Sequence, residues 1–278
     1  MLFPIIAYSA SRIFPPIFFV AVSAAITSAF LGLWLSLRGE LLRGLTRRAI
    51  IDCAWVALLI VGPTTLIFLG SAHTSSISTG LLLQCEMLTT FLIYGVIFQE
   101  RHTLKQYAGA ALVFLGTLLV LSNGAFSIKL GDALIVLAIF IFPFGNFFAK
   151  RVLEQISLYQ VLFFRYVFSV PFLLVVSFCF EDTAGVAMAL QWYWWLFAAY
   201  IIFIMLLSKV FWYAGLRRLP VSKAISIFAV YPAFSLLFAV LFLHEWPTVY
   251  QFLGFILSLV GVYRLIGASV SAEQKDLV

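Results

Sequence analysis

A short sequence pattern occurs twice in this chain, and the two copies are 145 residues apart. Each copy joins two long apolar segments, and five apolar segments separate one copy from the other. Because five is odd, the copies are expected to point in opposite directions across a bilayer. Inverted repeats of this kind are typical of secondary transporters, whereas a duplicated enzyme domain or receptor does not need that geometry. The copies share Glu100, Thr103, Gln106, Gly109 and Gly116, which recur as Glu245, Thr248, Gln251, Gly254 and Gly261.

The composition excludes a soluble globular domain. Of the 278 residues, 64% are hydrophobic and only 10% are charged, whereas soluble domains carry about 25% charged residues. Inside a bilayer only helices and closed barrels satisfy the backbone hydrogen bonds. The apolar runs here last about 18 to 25 residues without alternation, which favours helices. The sequence therefore predicts an all-α membrane protein.

The predicted architecture consists of inverted five-helix repeats with nine transmembrane helices. The first repeat covers residues 1–125 and the second covers residues 126–278. The connections between helices are short, so they leave no room for a soluble domain. The predicted spans are 13–37, 50–70, 75–98, 105–122, 131–149, 159–180, 192–214, 221–243 and 248–266.

The loop charges predict the orientation. Thirteen lysine and arginine residues fall on one side of the predicted spans, against Arg12 and Lys129 on the other side. Because basic loops stay in the cytoplasm, the thirteen-residue side and the C-terminus are expected to be cytoplasmic. The basic residues of that side are Arg38, Arg43, Arg47, Arg48, Arg101, Lys105, Lys150, Arg151, Arg217, Arg218, Lys223, Arg264 and Lys275.

The first half looks shorter than the second at its N-terminal end. Phe164-Arg165-Tyr166 lies near the start of a span that follows a complete helix, whereas Ser11-Arg12-Ile13 has about eleven residues before it. The first helix of a ten-helix pattern is therefore predicted to be missing. A start codon assigned too late and a genuine loss of the helix are both open explanations.

Two segments carry a family resemblance: residues 98–109 read FQERHTLKQYAG, and residues 243–254 read LHEWPTVYQFLG. With these segments, and with YAGLRRLP at 213–220 and Tyr231-Pro232, the chain resembles the drug/metabolite transporter superfamily, in particular its EamA-type exporters. The resemblance implies two five-helix repeats, with the fourth and ninth helices lining a central cavity. It also implies export of a small molecule coupled to the proton gradient.

Glu86 is the leading candidate for a binding residue. It lies about 11 residues, or about 16 Å, from either end of its span, near the bilayer midplane. A charge there costs about 3 kcal/mol on insertion scales, so it needs a polar cavity, a partner or a proton. Thr79, Thr89 and Thr90 lie at helical spacing from it and predict a polar stripe. Glu86 either binds a cation or the coupling proton, or it belongs to a structural hydrogen-bond network between helices.

Two basic residues lie within predicted spans. Lys209 is eight residues before Arg217, which places it about 12 Å inside the membrane boundary. It is interpreted either as an anion site and counter-charge to Glu86, or as a lysine whose ammonium reaches the headgroups. Arg165 is predicted to be an interface anchor or a helix-packing residue.

Proline residues within spans indicate further cavity contacts. Pro143 lies close to Asn146, and Pro232 follows Tyr231. Broken helices with polar side chains nearby are where transporters bind substrates, so Asn146 and Tyr231 are predicted to contact the substrate. Proline is also more common in membrane helices generally. Trp212 and Tyr213 are predicted to belong to an interfacial aromatic belt, as are Trp192, Trp194 and Trp195.

The repeated motif itself is interpreted as structural. Glu100 and Glu245 precede helix starts, where the helix dipole favours a carboxylate. The repeated glycines predict close helix packing. No phosphate-binding loop, metal-ligand set or catalytic triad is visible, so no cofactor, no metal and no catalytic residue are predicted.

The leading functional hypothesis is a secondary transporter of the inner membrane that works by alternating access. Its expected partners are a small-molecule substrate and the lipid bilayer, with a homodimer as a further option and no nucleic acid. Glu86, Asn146, Tyr231 and Lys209 are its predicted substrate or proton site. A non-transporting membrane subunit and a membrane-embedded enzyme acting on a lipid-linked substrate remain as alternatives.

Overall fold

All regular secondary structure in the part of the chain that its computed structural model describes is helical. That part comprises residues 3–83, 85–97, 103–122, 129–183, 186–218, 237, 240–241 and 246–275. Two segments within it, Ala57–Val61 and Tyr200–Ser208, are π-helical. The α-helices are α1 (Phe3–Ile13), α2 (Pro16–Leu37), α3 (Arg47–Val56), α4 (Gly62–Ser71), α5 (Ser76–Leu83), α6 (Glu86–Val96), α7 (Leu104–Ser122), α8 (Leu130–Leu153), α9 (Leu158–Phe180), α10 (Val186–Ala199), α11 (Lys209–Arg218) and α12 (Val249–Lys275).

Three pairs of consecutive helices each form one longer segment: α3 with α4, α5 with α6, and α10 with α11. Counted in this way, the described ranges contain nine helical segments. Eight of the nine coincide with predicted spans, and six segments are long and apolar enough to cross a membrane. Of the predicted span 221–243, only residues 237, 240 and 241 are described. The predicted all-helical fold and the count of nine are thus confirmed for the described residues.

The ninth segment is α1, which precedes the first predicted span. Its 11 residues extend about 16 Å, or about half of a bilayer core. It contacts α2, α4 and α5 from the first half and α10 from the second. Ser11 and Arg12 lie in its last turn. The described chain before Pro16 is therefore helical but too short to cross a bilayer.

The antiparallel pair α7 and α12 shows the inversion of the two halves directly. A Cβ added to Gly116 would lie 2.6 Å from the carbonyl oxygen of Gly254, and one added to Gly261 would lie 2.6 Å from that of Gly109. Each glycine therefore meets the non-equivalent glycine of the other copy. Parallel helices would instead bring equivalent positions together. The predicted role of these glycines in close helix packing is confirmed.

A second antiparallel pair, α2 with α9, is joined at both ends by polar side chains. Gln160 Nε2 donates hydrogen bonds of 2.9 Å to the carbonyl oxygens of Glu40 and Arg43, just beyond the end of α2. At the opposite end the Glu181 carboxylate accepts from the backbone amides of Ile17 and Phe18, at 2.7 and 2.8 Å. A carboxylate at this position satisfies free amides and interacts favourably with the dipole of α2.

A further contact between the halves joins α3 to α8 through an ion pair whose carboxylate is buried. Asp52 is fully buried and accepts from Arg151 Nε at 2.9 Å and also from Arg151 Nη2. Gln155 lies next to this pair and donates to the Asp52 carboxylate at 3.5 Å. Because the pair is bidentate, it fixes the relative orientation of the two helices as well as their separation.

Candidate functional site

Several membrane-length segments lose regular α-helical geometry near their middle. The segment of α3 and α4 contains the π-helical turn Ala57–Val61, and the segment of α10 and α11 contains the longer one at Tyr200–Ser208. Cys85, directly before α6, lies in a turn rather than an α-helix, and α8 contains Pro143. Such irregularities free backbone groups and re-aim side chains, and they are frequent at functional sites.

Glu86 lies at one of these irregularities, as the first residue of α6. Its Oε1 accepts a hydrogen bond of 3.2 Å from Asn146 Nδ2. Asn146 is only 3% exposed and lies three residues after Pro143 in α8. The half-buried Glu86 carboxylate is therefore aimed toward the protein interior. This bond joins a residue of the first predicted repeat to a residue of the second.

Lys209 approaches the same place from another helix. It opens α11, directly after the long π-helical segment, and it is half-buried. Its ammonium lies within electrostatic range of both Glu86 and Arg165. The counter-charge interpretation of Lys209 stays a prediction, with Glu86 as the group of opposite charge that interacts with it.

Arg165 belongs to this buried polar cluster, a role that the sequence analysis missed. Its side chain is 3% exposed, and it donates hydrogen bonds of 2.9 Å to the hydroxyls of Tyr213 and Tyr166. The Tyr166 hydroxyl in turn donates to the carbonyl oxygen of Met205 at 3.0 Å. Of the two interpretations of Arg165, the interface anchor is therefore wrong, whereas the helix-packing residue agrees with its hydrogen bond from α9 to Tyr213 of α11. The belt assignment of Tyr213 is also wrong, because this side chain is fully buried.

These side chains share one level in the membrane. Asn146 is seven residues from the end of α8, and Arg165 is seven residues from the start of α9. Lys209 is nine residues from the end of α11, and Glu86 is ten residues from the end of α6. These offsets correspond to depths of about 11 to 15 Å below the face that carries the arginine-rich loops. The sequence could have flagged Arg165 on this ground, since a mid-span arginine is costly without a function.

The threonines near Glu86 have divided roles. Thr79 Oγ1 donates to the carbonyl oxygen of Ser75 at 2.9 Å, which is a local bond within its own helix. Thr89 Oγ1 donates to the carbonyl oxygen of Ile139 on α8 at 2.8 Å. Thr90 Oγ1 is buried and has no hydrogen-bond partner in the described structure. Of the predicted polar stripe, Thr90 is thus the member with a free hydroxyl.

The remaining predicted residues are distributed as follows. Tyr231 lies outside the described residues, and so do Glu100 and Glu245. The belt tryptophans are strongly exposed on α10, as expected for lipid-facing rings, with exposed fractions of 75% for Trp192 and 61% for Trp194. Within the described ranges, no three His, Cys, Asp or Glu side chains gather in a way that would hold a metal ion.

The arrangement offers two kinds of recognition side by side. The Glu86 carboxylate with the Asn146 amide can accept a proton or bind a cationic or hydrogen-bond-donating group. The Arg165 guanidinium and the Lys209 ammonium supply positive charge one or two helices away.

Comparisons with known proteins agree with this architecture. The sequence profile of the EamA-like transporter family matches residues 2–122 and 129–267, which is nearly the whole chain. YyaM of Bacillus subtilis (strain 168), named an uncharacterized transporter, is 24% identical over 215 residues, covering 75% of this chain and 70% of that protein. YdeK of the same organism carries the same description and is 27% identical over 239 residues, covering 84% and 80%.

One solved structure has the same fold. This crystal structure superposes with a TM-score of 0.68 and covers 95% of this chain and 94% of that chain. Its sequence identity is 18%, so the likeness supports the fold alone. The two family matches are separated at residues 123–128, next to the predicted boundary between the repeats at residue 125.

Proposed function

This chain belongs to the EamA-like transporter family, and from that premise we propose that it is a secondary transporter of a small molecule that works by alternating access. The observation that carries the proposal is the hydrogen bond between Glu86 and Asn146. It joins the two predicted repeats, 1–125 and 126–278, deep in the membrane and between irregular helices. Transporters place substrate and coupling-ion sites at such repeat interfaces near the midplane.

In this proposal Glu86 is the residue that carries the coupling proton or a cationic group of the solute. A carboxylate that alternates between a buried site and water can gain and lose a proton during each cycle. Asn146 holds the charged form through its amide, and Lys209 provides the counter-charge. Tyr231, on the predicted ninth helix of the ten-helix pattern, is a further substrate contact. We propose that a small metabolite, amino acid or amphipathic drug is exported, and that the chain catalyses no reaction itself.

The test is transport by the purified protein in liposomes that contain a mixture of small metabolites and amino acids. With an imposed pH gradient and no ATP, at least one solute should cross the membrane faster than in protein-free liposomes. A protonophore should remove most of the gradient-driven component, because a secondary transporter has no other energy source. Absence of solute movement in either direction, with protein shown to be folded and correctly inserted, would contradict the proposal.

The proposed orientation places the protein in the inner membrane with the C-terminus in the cytoplasm. Green fluorescent protein fused after Val278 should fluoresce, and alkaline phosphatase fused there should be inactive. The same reporters fused after Ser122 should give the opposite pattern, because five predicted spans separate the two fusion points. Identical behaviour of the two sites would rule out the inverted topology, and a reversed pattern would rule out this orientation.

A further inference from the structure

The buried cluster carries more positive than negative charge. The predicted spans contain three acidic residues in the whole sequence, Asp52, Glu86 and Asp132. Asp52 is bound to Arg151, and Asp132 accepts from the hydroxyl of Thr74 at 2.6 Å. Glu86 is therefore the single carboxylate within the predicted spans that is available to balance the positive charges of the cluster. The undescribed stretch between 219 and 236 does not change this, because it contains no acidic residue.

Arg165 has no carboxylate partner within the described structure. Its two Nη atoms donate to the neutral hydroxyls of Tyr213 and Tyr166, while its Nε is buried and has no hydrogen-bond partner among the described residues. A guanidinium stays protonated in proteins and presents five N–H donors. A buried charge with an unused donor is costly, because it has lost its hydration without full compensation.

Lys209 increases this imbalance. It lies within electrostatic range of Arg165, so two cationic groups repel each other inside the bundle. Glu86 can balance one of them, and its nearest described hydrogen-bond donor is Asn146 rather than either cation. Like charges at this depth are strongly unfavourable when nothing lies between them, because the surrounding dielectric constant is low.

From this geometry we propose that the Arg165 guanidinium, with Tyr166, Tyr213 and Lys209, forms a subsite for an anionic group of the transported solute. The inference rests on the proposed transport function and names its substrate class: a solute that carries a carboxylate or a phosphate. The unused Nε donor binds the anion, and Lys209 neutralises it from α11. The two tyrosine hydroxyls hold the guanidinium in place. Glu86 and Asn146 then contact the opposite end of the same solute.

The subsite can be tested by ligand-dependent thermal stability of the purified protein in lipid-free detergent. Three probes of similar size differ in charge: phenylacetate, phenyl phosphate and phenethylamine. At about 10 mM, at least one anionic probe should raise Tm by about 3 °C, because a ligand that binds the folded state stabilises it. Phenethylamine should give a smaller shift. The larger of the two anionic shifts identifies the solute group as a carboxylate or a phosphate.

Two variants assign the shift to the cluster. Arg165→Gln should abolish the anion-dependent shift, and Lys209→Gln should reduce it by at least about half, because each removes one charge that faces the anion. Lys209→Gln keeps the test decisive if Arg165→Gln does not fold. Arg217→Gln is the matched control: Arg217 is exposed at the end of α11, so the shift should be retained.

Two results would overturn the subsite. One is no shift with either anion, whether or not phenethylamine gives a shift, and the other is an undiminished anion shift in both cluster variants. These results would leave the proposed transport function standing, because the liposome experiment tests it with other solutes as well. Failure of that experiment would instead remove the proposed function while leaving any measured anion binding in place.

Discussion

Replacement of Glu86 by Gln is expected to lower proton-driven transport in liposomes by about tenfold or more, because the one mid-membrane carboxylate that can carry a proton is removed. Gln keeps the size of the side chain and a carbonyl oxygen for Asn146 Nδ2, so the hydrogen bond between α6 and α8 can still form. Folding should therefore be little affected. The measurement is initial solute flux at several imposed pH gradients, using the solute identified with the unaltered protein.

The pattern of the remaining activity separates the two roles of Glu86. If Glu86 carries the proton, Glu86→Gln should still exchange solute for solute at equilibrium while losing its response to the gradient. If Glu86 instead belongs to a structural network only, both activities should persist. The matched control is Glu154→Gln at the end of α8, since Glu154 is exposed to solvent and its replacement should change neither activity. Undiminished gradient-driven flux in Glu86→Gln would exclude the proposed coupling role.

Replacement of Gly116 by Leu is expected to separate α7 from α12 and to destabilise the protein by about 3 kcal/mol or more. An added Cβ at Gly116 would lie 2.6 Å from the carbonyl oxygen of Gly254 and 2.9 Å from the backbone nitrogen of Ser258. These neighbours are backbone atoms that no rotamer change can move. We expect Tm to fall by roughly 10 °C, with loss of the monodisperse peak in size-exclusion chromatography.

Gly215 provides the matched control for this substitution. A Cβ added to Gly215 in α11 meets no described atom within 4 Å, so Gly215→Leu should leave Tm nearly unchanged. Because the halves are inverted, Gly261→Leu should resemble Gly116→Leu: its added Cβ would lie 2.6 Å from the carbonyl oxygen of Gly109. Equal stability of the Gly116 and Gly215 variants would show that the α7–α12 contact tolerates a large side chain.

The helices, the inversion and the candidate residues Glu86, Asn146 and Lys209 could be derived from the sequence, whereas the place of Arg165 and the irregular helical geometry around the site could not. Long apolar runs determine membrane helices because the bilayer leaves the backbone few alternatives. The repeated glycines correctly indicated a close helix contact. The turn at Cys85 and the π-helical segment before Lys209 have no such signal in the sequence, because neither contains a proline or a glycine. They depend on how neighbouring helices pack.

The same distinction explains the errors on Arg165 and Tyr213. In the sequence each lies within about three turns of a predicted span end, where cationic and aromatic residues usually reach the interface. In the structure Arg165 donates a hydrogen bond of 2.9 Å to the hydroxyl of Tyr213. Two side chains 48 positions apart in sequence can satisfy each other only if their helices are adjacent, and sequence spacing carries no information on that adjacency.

The amino-acid sequence by itself determined that the chain lies in a lipid bilayer, that its segments are helices, and that its two halves point in opposite directions. These properties follow from summed hydrophobicity, from segment length and from whether a count of crossings is odd or even, and no single side-chain contact is needed for any of them. Only the tertiary structure decided that Glu86 accepts a hydrogen bond from Asn146 and that Arg165 donates to Tyr166 and Tyr213. These contacts depend on which faces of the helices pack together. That choice is made by the short-range fit of side chains and by hydrogen-bond geometry.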